Sequence, residues 1–203
     1  MKLTLTEDGP YIVEGDFRLL DTKKKLVQTG ETAELCRCGK SGTSPLCDRE
    51  SCDTQFGADG DGAPPQWRRY KGTNIDVSYS ARICIHDGAC TFGAPEVFDP
   101  RKRPWADPKE SDAEGIAAVV RRCPSGALIY DRLDGGPQEQ PEQPGTIRAT
   151  RDGPFYLSGE IEIETATGQE LFQGPRASLC RCGASRNKPF CDENHNMVQF
   201  KDP

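Results

Sequence analysis

The strongest constraint on the fold is an internal repeat. The segment Asp8-Gly9-Pro10-Tyr11 matches Asp152-Gly153-Pro154-Phe155, which lies 144 residues later. The same offset, with no gap, places six further residues on identical ones: Cys36, Cys38, Ser41, Pro45, Cys47 and Asp48 on Cys180, Cys182, Ser185, Pro189, Cys191 and Asp192. The two ends of the chain therefore carry copies of one small module.

The second copy ends in a dense group of potential metal ligands. Cys180, Cys182, Cys191 and His195 lie within sixteen residues. Cysteine and histidine bind soft or borderline metals, and this spacing allows one loop to enclose a metal centre. A single helical turn with Asp192 as its N-cap would point Cys191 and His195 the same way. The residues alone leave two candidates open, a Cys3His zinc site and an iron–sulfur cluster in which each iron takes two of the four ligands.

These residues resemble the CDGSH iron–sulfur domains of the mitoNEET type. The family pattern C-x-C-x2-S/T-x3-P-x-C-D-x2-H is matched in register by Cys180, Cys182, Ser185, Pro189, Cys191, Asp192 and His195. Glu193-Asn194 stands where the family usually has Gly-Ser. The resemblance implies a 2Fe–2S cluster held by the three cysteines and His195. It also implies that the two copies pack as an intramolecular pseudo-dimer with intertwined strands, so that the protein is a monomer with an internal pseudo-two-fold axis.

The first copy departs from the pattern at the last ligand. Ser51 occupies the position of His195, and Cys52 follows it. Because thiolates are the ordinary ligands of iron, we expect a second 2Fe–2S cluster held by four cysteines, Cys36, Cys38, Cys47 and Cys52. The alternatives are that Ser51 is the fourth ligand or that this copy holds nothing. A histidine ligand raises the reduction potential and can couple reduction to protonation, so the two clusters would not be equivalent.

A different module lies between the copies. Gly- and Pro-rich linkers at 57–65 and 134–145 bracket it. Alternating residues predict a strand at 74–80. The segment Ser111-Asp112-Ala113-Glu114 has the form of a capping box that begins a helix, and this helix is expected to end at Cys123-Pro124.

The cysteines of the middle module are Cys84, Cys90 and Cys123. Their spacing, Cys-x5-Cys with a remote Cys-Pro, resembles the divergent mono-cluster ferredoxin-like domains, with Asp87 at the place of the missing middle cysteine. Three thiolates suit a 3Fe–4S cluster, or a 4Fe–4S cluster whose fourth iron takes Asp87, His86 or water. The sequence leaves this choice open.

Composition narrows the class of protein. A hydrophobic content of 34% with 21 Gly and 16 Pro is poor for one large core and favours small modules stabilised by metal. Neither an apolar signal segment nor an apolar run long enough to cross a membrane is present, so we expect a cytoplasmic protein whose ten cysteines bind metal instead of forming disulfides. The net charge of −6 argues against nucleic acid and anionic membranes as partners.

These features predict an α+β, mostly β protein, in which two CDGSH-type β modules form an intramolecular pseudo-dimer beside a small ferredoxin-like α+β domain. The expected boundaries are 1–57, 72–132 and 146–203. A phosphate loop and a nucleophile elbow are both missing, so we expect no enzyme. The expected function is one-electron transfer between cytoplasmic redox partner proteins. The alternatives are storage of the His-ligated 2Fe–2S cluster with its donation to apo iron–sulfur proteins, and structural zinc binding in the same cysteines.

Overall fold

The computed structural model describes residues 1–51 and 64–202. The chain forms two compact units, one from Met1–Pro64 with Pro141–Pro203 and the other from Pro65–Gln140. The described strands and helices in chain order are β1 Lys2–Leu5, β2 Tyr11–Leu20, β3 Leu26–Leu35, β4 Arg68–Tyr70, β5 Ile75–Tyr79, a 3-10 helix Ala81–Ile83, α1 Ala89–Gly93, α2 Ala113–Val120, β6 Leu128–Arg132, β7 Gly145–Ala149, β8 Phe155–Glu164, β9 Glu170–Leu179 and α3 Asn194–Met197. The predicted fold class, α+β and mostly β, is confirmed.

The repeat in the sequence is also a repeat in the structure. Strands β2 and β3 begin and end 144 residues before β8 and β9. The register of each hairpin also shifts at the same relative place, next to Gly15 in β2 and Gly159 in β8. Both glycines have a positive φ, +104° and +129°, which a residue with a side chain rarely adopts. The two copies therefore share even their irregularities.

The copies exchange strands within one sheet. Strand β1 pairs antiparallel with β2 of its own copy and parallel with β8 of the other. Strand β7 does the same, antiparallel with β8 and parallel with β2. Strands β3 and β9 extend the sheet beyond β2 and β8. This is the intertwined pseudo-dimer that the resemblance implied.

Alternate residues of these strands fill the core between the two copies. Successive side chains of a strand point to opposite faces, and this alternation is clear along β2 and β8. The fully buried side chains come from both copies: Leu3, Val13, Phe17, Leu19, Ile147, Leu157, Ile161 and Ile163. Burial of apolar surface from residues so far apart in sequence holds the two ends of the chain together.

The second unit is a three-stranded antiparallel sheet, in the order β4–β5–β6, with its own apolar core that includes α2. The strand predicted at 74–80 is β5. Helix α2 is present, but its cap was predicted one residue too early, because the carboxylate of Asp112, and not the Ser111 hydroxyl, accepts a hydrogen bond from the Gly115 amide at 2.9 Å. Among the described residues of the chain, no helix has the length and apolar character needed to span a bilayer.

Candidate metal centres

The loop that follows β9 brings the predicted ligands of the second copy together. The amide of Cys180 donates to the carbonyl of Pro189 at 2.8 Å, and the amide of Cys191 donates to the carbonyl of Ser178 at 2.9 Å. These two bonds close the base of the loop. Cys180 and Cys191 therefore lie side by side although eleven positions separate them.

The donor atoms of this loop form two pairs. The Sγ atoms of Cys180 and Cys182 lie 3.8 Å apart, and Cys191 Sγ lies 3.5 Å from His195 Nδ1. Two thiolates bound at about 2.3 Å to one tetrahedral metal atom lie roughly 3.8 Å from each other, so each pair suits one metal atom. Across the described ranges 1–51 and 64–202, no three His, Cys, Asp or Glu side chains converge on a single ion. Two pairs of donors fit a two-iron cluster with two protein ligands on each iron.

The local backbone reaches this geometry in a different way from the predicted helical turn. Helix α3 begins at Asn194, so Cys191 lies before the helix and not within it. Glu193 occupies the N-cap position with a left-handed φ of +67° and makes no side-chain cap bond. Asp192, predicted as the N-cap, instead ties the loop together, because its carboxylate accepts from the amides of Arg186 at 2.8 Å and Asn194 at 3.1 Å. Glu193 stands where the family usually has glycine, the residue that adopts this φ without strain.

The surroundings of the ligands control their protonation. Burial raises the pKa of the Cys191 thiol to about 12. The hydrogen bond between Cys180 and Cys182 raises the pKa of the buried Cys180 and lowers that of the half-buried Cys182 to about 7. Burial lowers the pKa of His195, which favours the neutral imidazole that can bind metal. A metal centre supplies the positive charge that buried thiolates need.

The first copy repeats the loop but not its last ligand. The Sγ atoms of Cys36 and Cys38 lie 3.6 Å apart, and the amide of Cys47 donates to the carbonyl of Glu34 at 2.9 Å, as Cys191 does to Ser178. The Ser51 hydroxyl donates to the Asp48 carboxylate at 2.8 Å. Hydrogen bonds from the Ser51 amide and then its hydroxyl lower the pKa of Asp48 to about 2.

The predicted fourth ligand of the first site, Cys52, lies outside the described residues. The Ser51 hydroxyl is thus directed towards Asp48. The role of Cys52 as the fourth ligand of the first site stays a prediction.

The two loops touch each other through their Cys-x-Cys segments. A Cβ atom added at Gly39 would lie 3.3 Å from Cys182 Cα, and one added at Gly183 would lie 3.4 Å from Cys38 Cα. The contact is tight at Gly39, where the Cβ would also lie 3.1 Å from the Arg181 carbonyl oxygen, and is ordinary van der Waals contact at Gly183. Both glycines have a positive φ, +73° and +76°, which a residue with a side chain rarely adopts. The two candidate sites therefore sit back to back.

Sequence reasoning missed a pair of buried arginines, one in each Cys-x-Cys segment. Arg181 is 1% exposed, and its guanidinium donates to the carbonyls of Gly153 at 2.9 Å and Thr150 at 2.6 Å and to the Asp202 carboxylate. Its counterpart Arg37 donates to the Thr6 carbonyl at 2.7 Å. Both residues anchor the loop to the turn before the long strand. The recurrence of arginine at the same place in both copies was a signal that could have identified them.

The middle unit brings its three cysteines to one cavity. Cys84, Cys90 and Cys123, all half-buried, line a space of about 380 Å³ together with Trp105. Burial raises the pKa of the Cys90 thiol to about 11. Burial, and then the neighbouring Cys84 with which its hydroxyl forms a hydrogen bond, raise the pKa of Tyr79. Three soft donors around one cavity suit a cluster with more than two irons.

The two candidates for a further ligand lie on the rim of this cavity. His86 Nδ1 lies 3.9 Å from Cys84 Sγ, and the backbone amide of His86 donates to the same sulfur at 3.4 Å. The carboxylate of Asp87 accepts from the Ala89 amide at 3.3 Å, at the start of α1. Both side chains are exposed. The structure keeps both within reach of the cavity.

Comparison with known proteins agrees with this division of the chain. The family described as the iron-binding zinc finger of CDGSH type matches residues 8–50 and 152–196, and the divergent 4Fe–4S mono-cluster family matches residues 70–133. The uncharacterized protein YjdI of Escherichia coli K12, and its counterpart in strain O157:H7, are each 41% identical over 64 residues, which are 32% of this chain and 84% of YjdI. No solved structure gives a significant match. The chain is an iron–sulfur protein that belongs to the CDGSH family at its two ends and carries a divergent 4Fe–4S mono-cluster domain between them.

Proposed function

We propose that this protein is a multi-cluster carrier that transfers single electrons between cytoplasmic redox partner proteins. In this proposal, Cys180, Cys182, Cys191 and His195 hold one 2Fe–2S cluster, and the four cysteines of the first copy hold a second. Cys84, Cys90 and Cys123 hold a 3Fe–4S or 4Fe–4S cluster in the middle unit. Bound clusters supply the one-electron redox chemistry. The protein acts as a monomer and not as an enzyme.

The contact between the two Cys-x-Cys segments carries this proposal. Cys38 and Cys182 are each predicted metal ligands. The close approach at Gly39 and Gly183 brings their backbones together. Two redox sites in one unit, whose loops are in contact at this point, are suited to exchange electrons without release of a diffusing carrier.

Donation of the second cluster to apo iron–sulfur proteins is a second candidate. His195 is only half-buried, whereas its partner Cys191 is 4% exposed. Met197 and Val198, just beyond it, are 82% and 54% exposed. One accessible ligand that can be protonated provides a point at which a cluster can leave, and exposed apolar residues beside it provide a surface for an acceptor.

The test is the content of iron, acid-labile sulfide and zinc in protein purified without oxygen, with EPR spectra before and after reduction. About seven or eight irons per chain with matching sulfide would support three clusters. About five or six irons would show that the first copy is empty. Zinc without sulfide would overturn the proposal.

Mixing with an apo-ferredoxin separates carrier from donor. A carrier is reduced and reoxidised through many cycles with its iron retained. A donor loses its visible absorption as the acceptor gains it.

A further inference from the structure

One hydrogen bond joins the first copy to the ligand loop of the second. The hydroxyl of Tyr11 lies 2.8 Å from the carbonyl oxygen of Cys180 and 3.3 Å from that of Pro189. A phenol has one proton, and the shorter contact takes it. Tyr11 is 1% exposed and stands at the start of β2, so this bond is fully shielded from water.

The position of the bond matters, because Cys180 and Pro189 form the base of the loop. The Cys180 amide donates to the Pro189 carbonyl at 2.8 Å, so the Tyr11 hydroxyl reaches the point where the two ends of the loop meet. It therefore fixes the backbone from which the Cys180 thiol extends. A second bond from the first copy, between Arg181 Nη1 and the hydroxyl of Ser44 at 3.2 Å, holds the next residue of the loop.

The relationship is not reciprocal. The counterpart of Tyr11 in the second copy is Phe155, which has no hydroxyl to offer to the loop of the first copy. The counterpart of Ser44 is Lys188. Phe155 and Lys188 therefore cannot give the loop of the first copy the bonds that Tyr11 and Ser44 give the loop of the second. The second copy, whose ligands match the family pattern in full, thus receives polar contacts from the first copy that it does not return in kind.

We infer that Tyr11 of the first copy is a positioning residue for the metal site of the second copy. Without Tyr11 this metal site is incomplete. The first copy then contributes to the site at Cys180–His195 whether or not it holds a cluster of its own. The inference rests on the proposed function only in that this site holds a cluster. The two copies are then not equivalent, since the first copy supports the ligand loop of the second.

The experiment compares Tyr11→Phe with Tyr156→Phe in the full-length protein purified without oxygen. Tyr156 is a half-buried residue of β8 whose ring lies 5.2 Å from the Arg148 guanidinium. Each change removes one hydroxyl and keeps the ring. The readouts are the ¹⁴N coupling of the reduced protein in pulsed EPR, which marks the site ligated by His195, and the half-life of the visible absorption.

In Tyr11→Phe we expect an altered ¹⁴N coupling and a half-life about tenfold shorter, because one buried hydrogen bond is lost. Tyr156→Phe should behave like the parent. An unchanged coupling and half-life in Tyr11→Phe would overturn the inference. An equal loss of urea stability in the two variants, while the ¹⁴N coupling and the half-life stay unchanged, would show that Tyr11 contributes only ordinary packing. That result would also overturn the inference. A parent protein without iron and sulfide overturns the proposed function instead, and the two failures are therefore distinct.

Discussion

The hydroxyl of Ser51 donates to the carboxylate of Asp48 at 2.8 Å, so the residue at the position of His195 is directed to a neighbouring side chain. We therefore expect the Ser51→Ala variant to keep all of its iron, because Cys52 still supplies the predicted fourth thiolate of the first site. Cys52→Ser should lose about two irons per chain, since a serine is a poor iron ligand. Iron and sulfide analysis of the two variants decides between them, and loss of iron in Ser51→Ala alone would identify the serine as the ligand.

His195→Cys should change the redox behaviour of the second site. A histidine that gains a proton on reduction makes the reduction potential fall as the pH rises, by up to about 59 mV per pH unit for one proton and one electron. The cysteine variant should have a lower potential with a weaker dependence on pH, and it should lose its cluster more slowly to an apo-acceptor. Potentiometric titration between pH 6 and 9 followed by EPR measures the first effect. An unchanged rate of transfer to the acceptor would contradict the donor candidate.

The contact between the two loops can be tested with a matched pair of glycines. Gly39 has a φ of +73°, and a Cβ there would lie 2.6 Å from Phe200 Cε2 and 3.1 Å from the Arg181 carbonyl oxygen. Gly168 has a φ of +81° with nothing within 4 Å of its Cβ position. Gly168→Ala should cost about 1–2 kcal/mol of unfolding free energy for backbone strain alone. Gly39→Ala should cost roughly 1–3 kcal/mol more, for the collision. Equal urea stability of the two variants would show that the loops are not in contact.

The rim of the middle cavity offers another pair of variants. If Asp87 is the ligand of a fourth iron, Asp87→Ala should convert a 4Fe–4S signal to that of 3Fe–4S, while His86→Ala should leave it unchanged. If His86 is the ligand, the two outcomes are exchanged. EPR of the oxidised protein distinguishes the clusters. A 3Fe–4S signal already present in the anaerobic parent would exclude both residues as ligands.

Acid should weaken an ion pair of the middle unit in a defined range of pH. The Asp134 carboxylate accepts from Arg132 Nε at 2.9 Å and Nη2 at 2.8 Å, and this arginine lowers the pKa of Asp134 to about 2. Because the folded-state pKa lies below the unfolded value of about 3.9, the pair stabilises the fold above about pH 4 and ceases to do so as the pH falls through about 2.

The matching variant is Asp134→Asn, which should be less stable than the parent at pH 7, with a difference that shrinks steadily as the pH falls from about 4 to about 2. Urea midpoints measured from pH 7 to pH 2 check this. The control is Glu110→Gln, which removes the same charge from an exposed side chain of the same unit. An Asp134→Asn curve parallel to that of the parent would contradict the prediction.

Much of the fold could be predicted from the repeat, because an ungapped offset predicts equal strands in both copies and β2, β3, β8 and β9 obey it. The spacing of Cys191 and His195 predicted that they point the same way, and Cys191 Sγ lies 3.5 Å from His195 Nδ1. The helical turn across Cys191 and the cap at Ser111 were wrong, because cap residues sit in short polar stretches where several neighbours can accept the same amide hydrogen bond.

The support that Tyr11 provides could not be predicted. Its hydroxyl meets Cys180 across 169 positions of sequence, and the counterpart Phe155 gives no hint of a polar role. The recurrence of arginine at 37 and 181 could have been noticed, but the carbonyls of Thr150 and Gly153 that hold Arg181 could not, because any residue type supplies a backbone carbonyl. Contacts made through the backbone leave little trace in residue types.

The exchange of strands between β1–β2 and β7–β8 has a consequence for the order in which the protein is made. A chain leaves the ribosome from its N-terminus, and a segment folds when its partners have emerged. The middle unit, Pro65–Gln140, has been synthesised in full before β7 and β8 emerge, the strands with which β2 and β1 of the first copy pair. We therefore expect the first copy, with Cys36, Cys38 and Cys47, to lack its partner strands until β7 and β8 have emerged, and the end sites to take up iron only after that point.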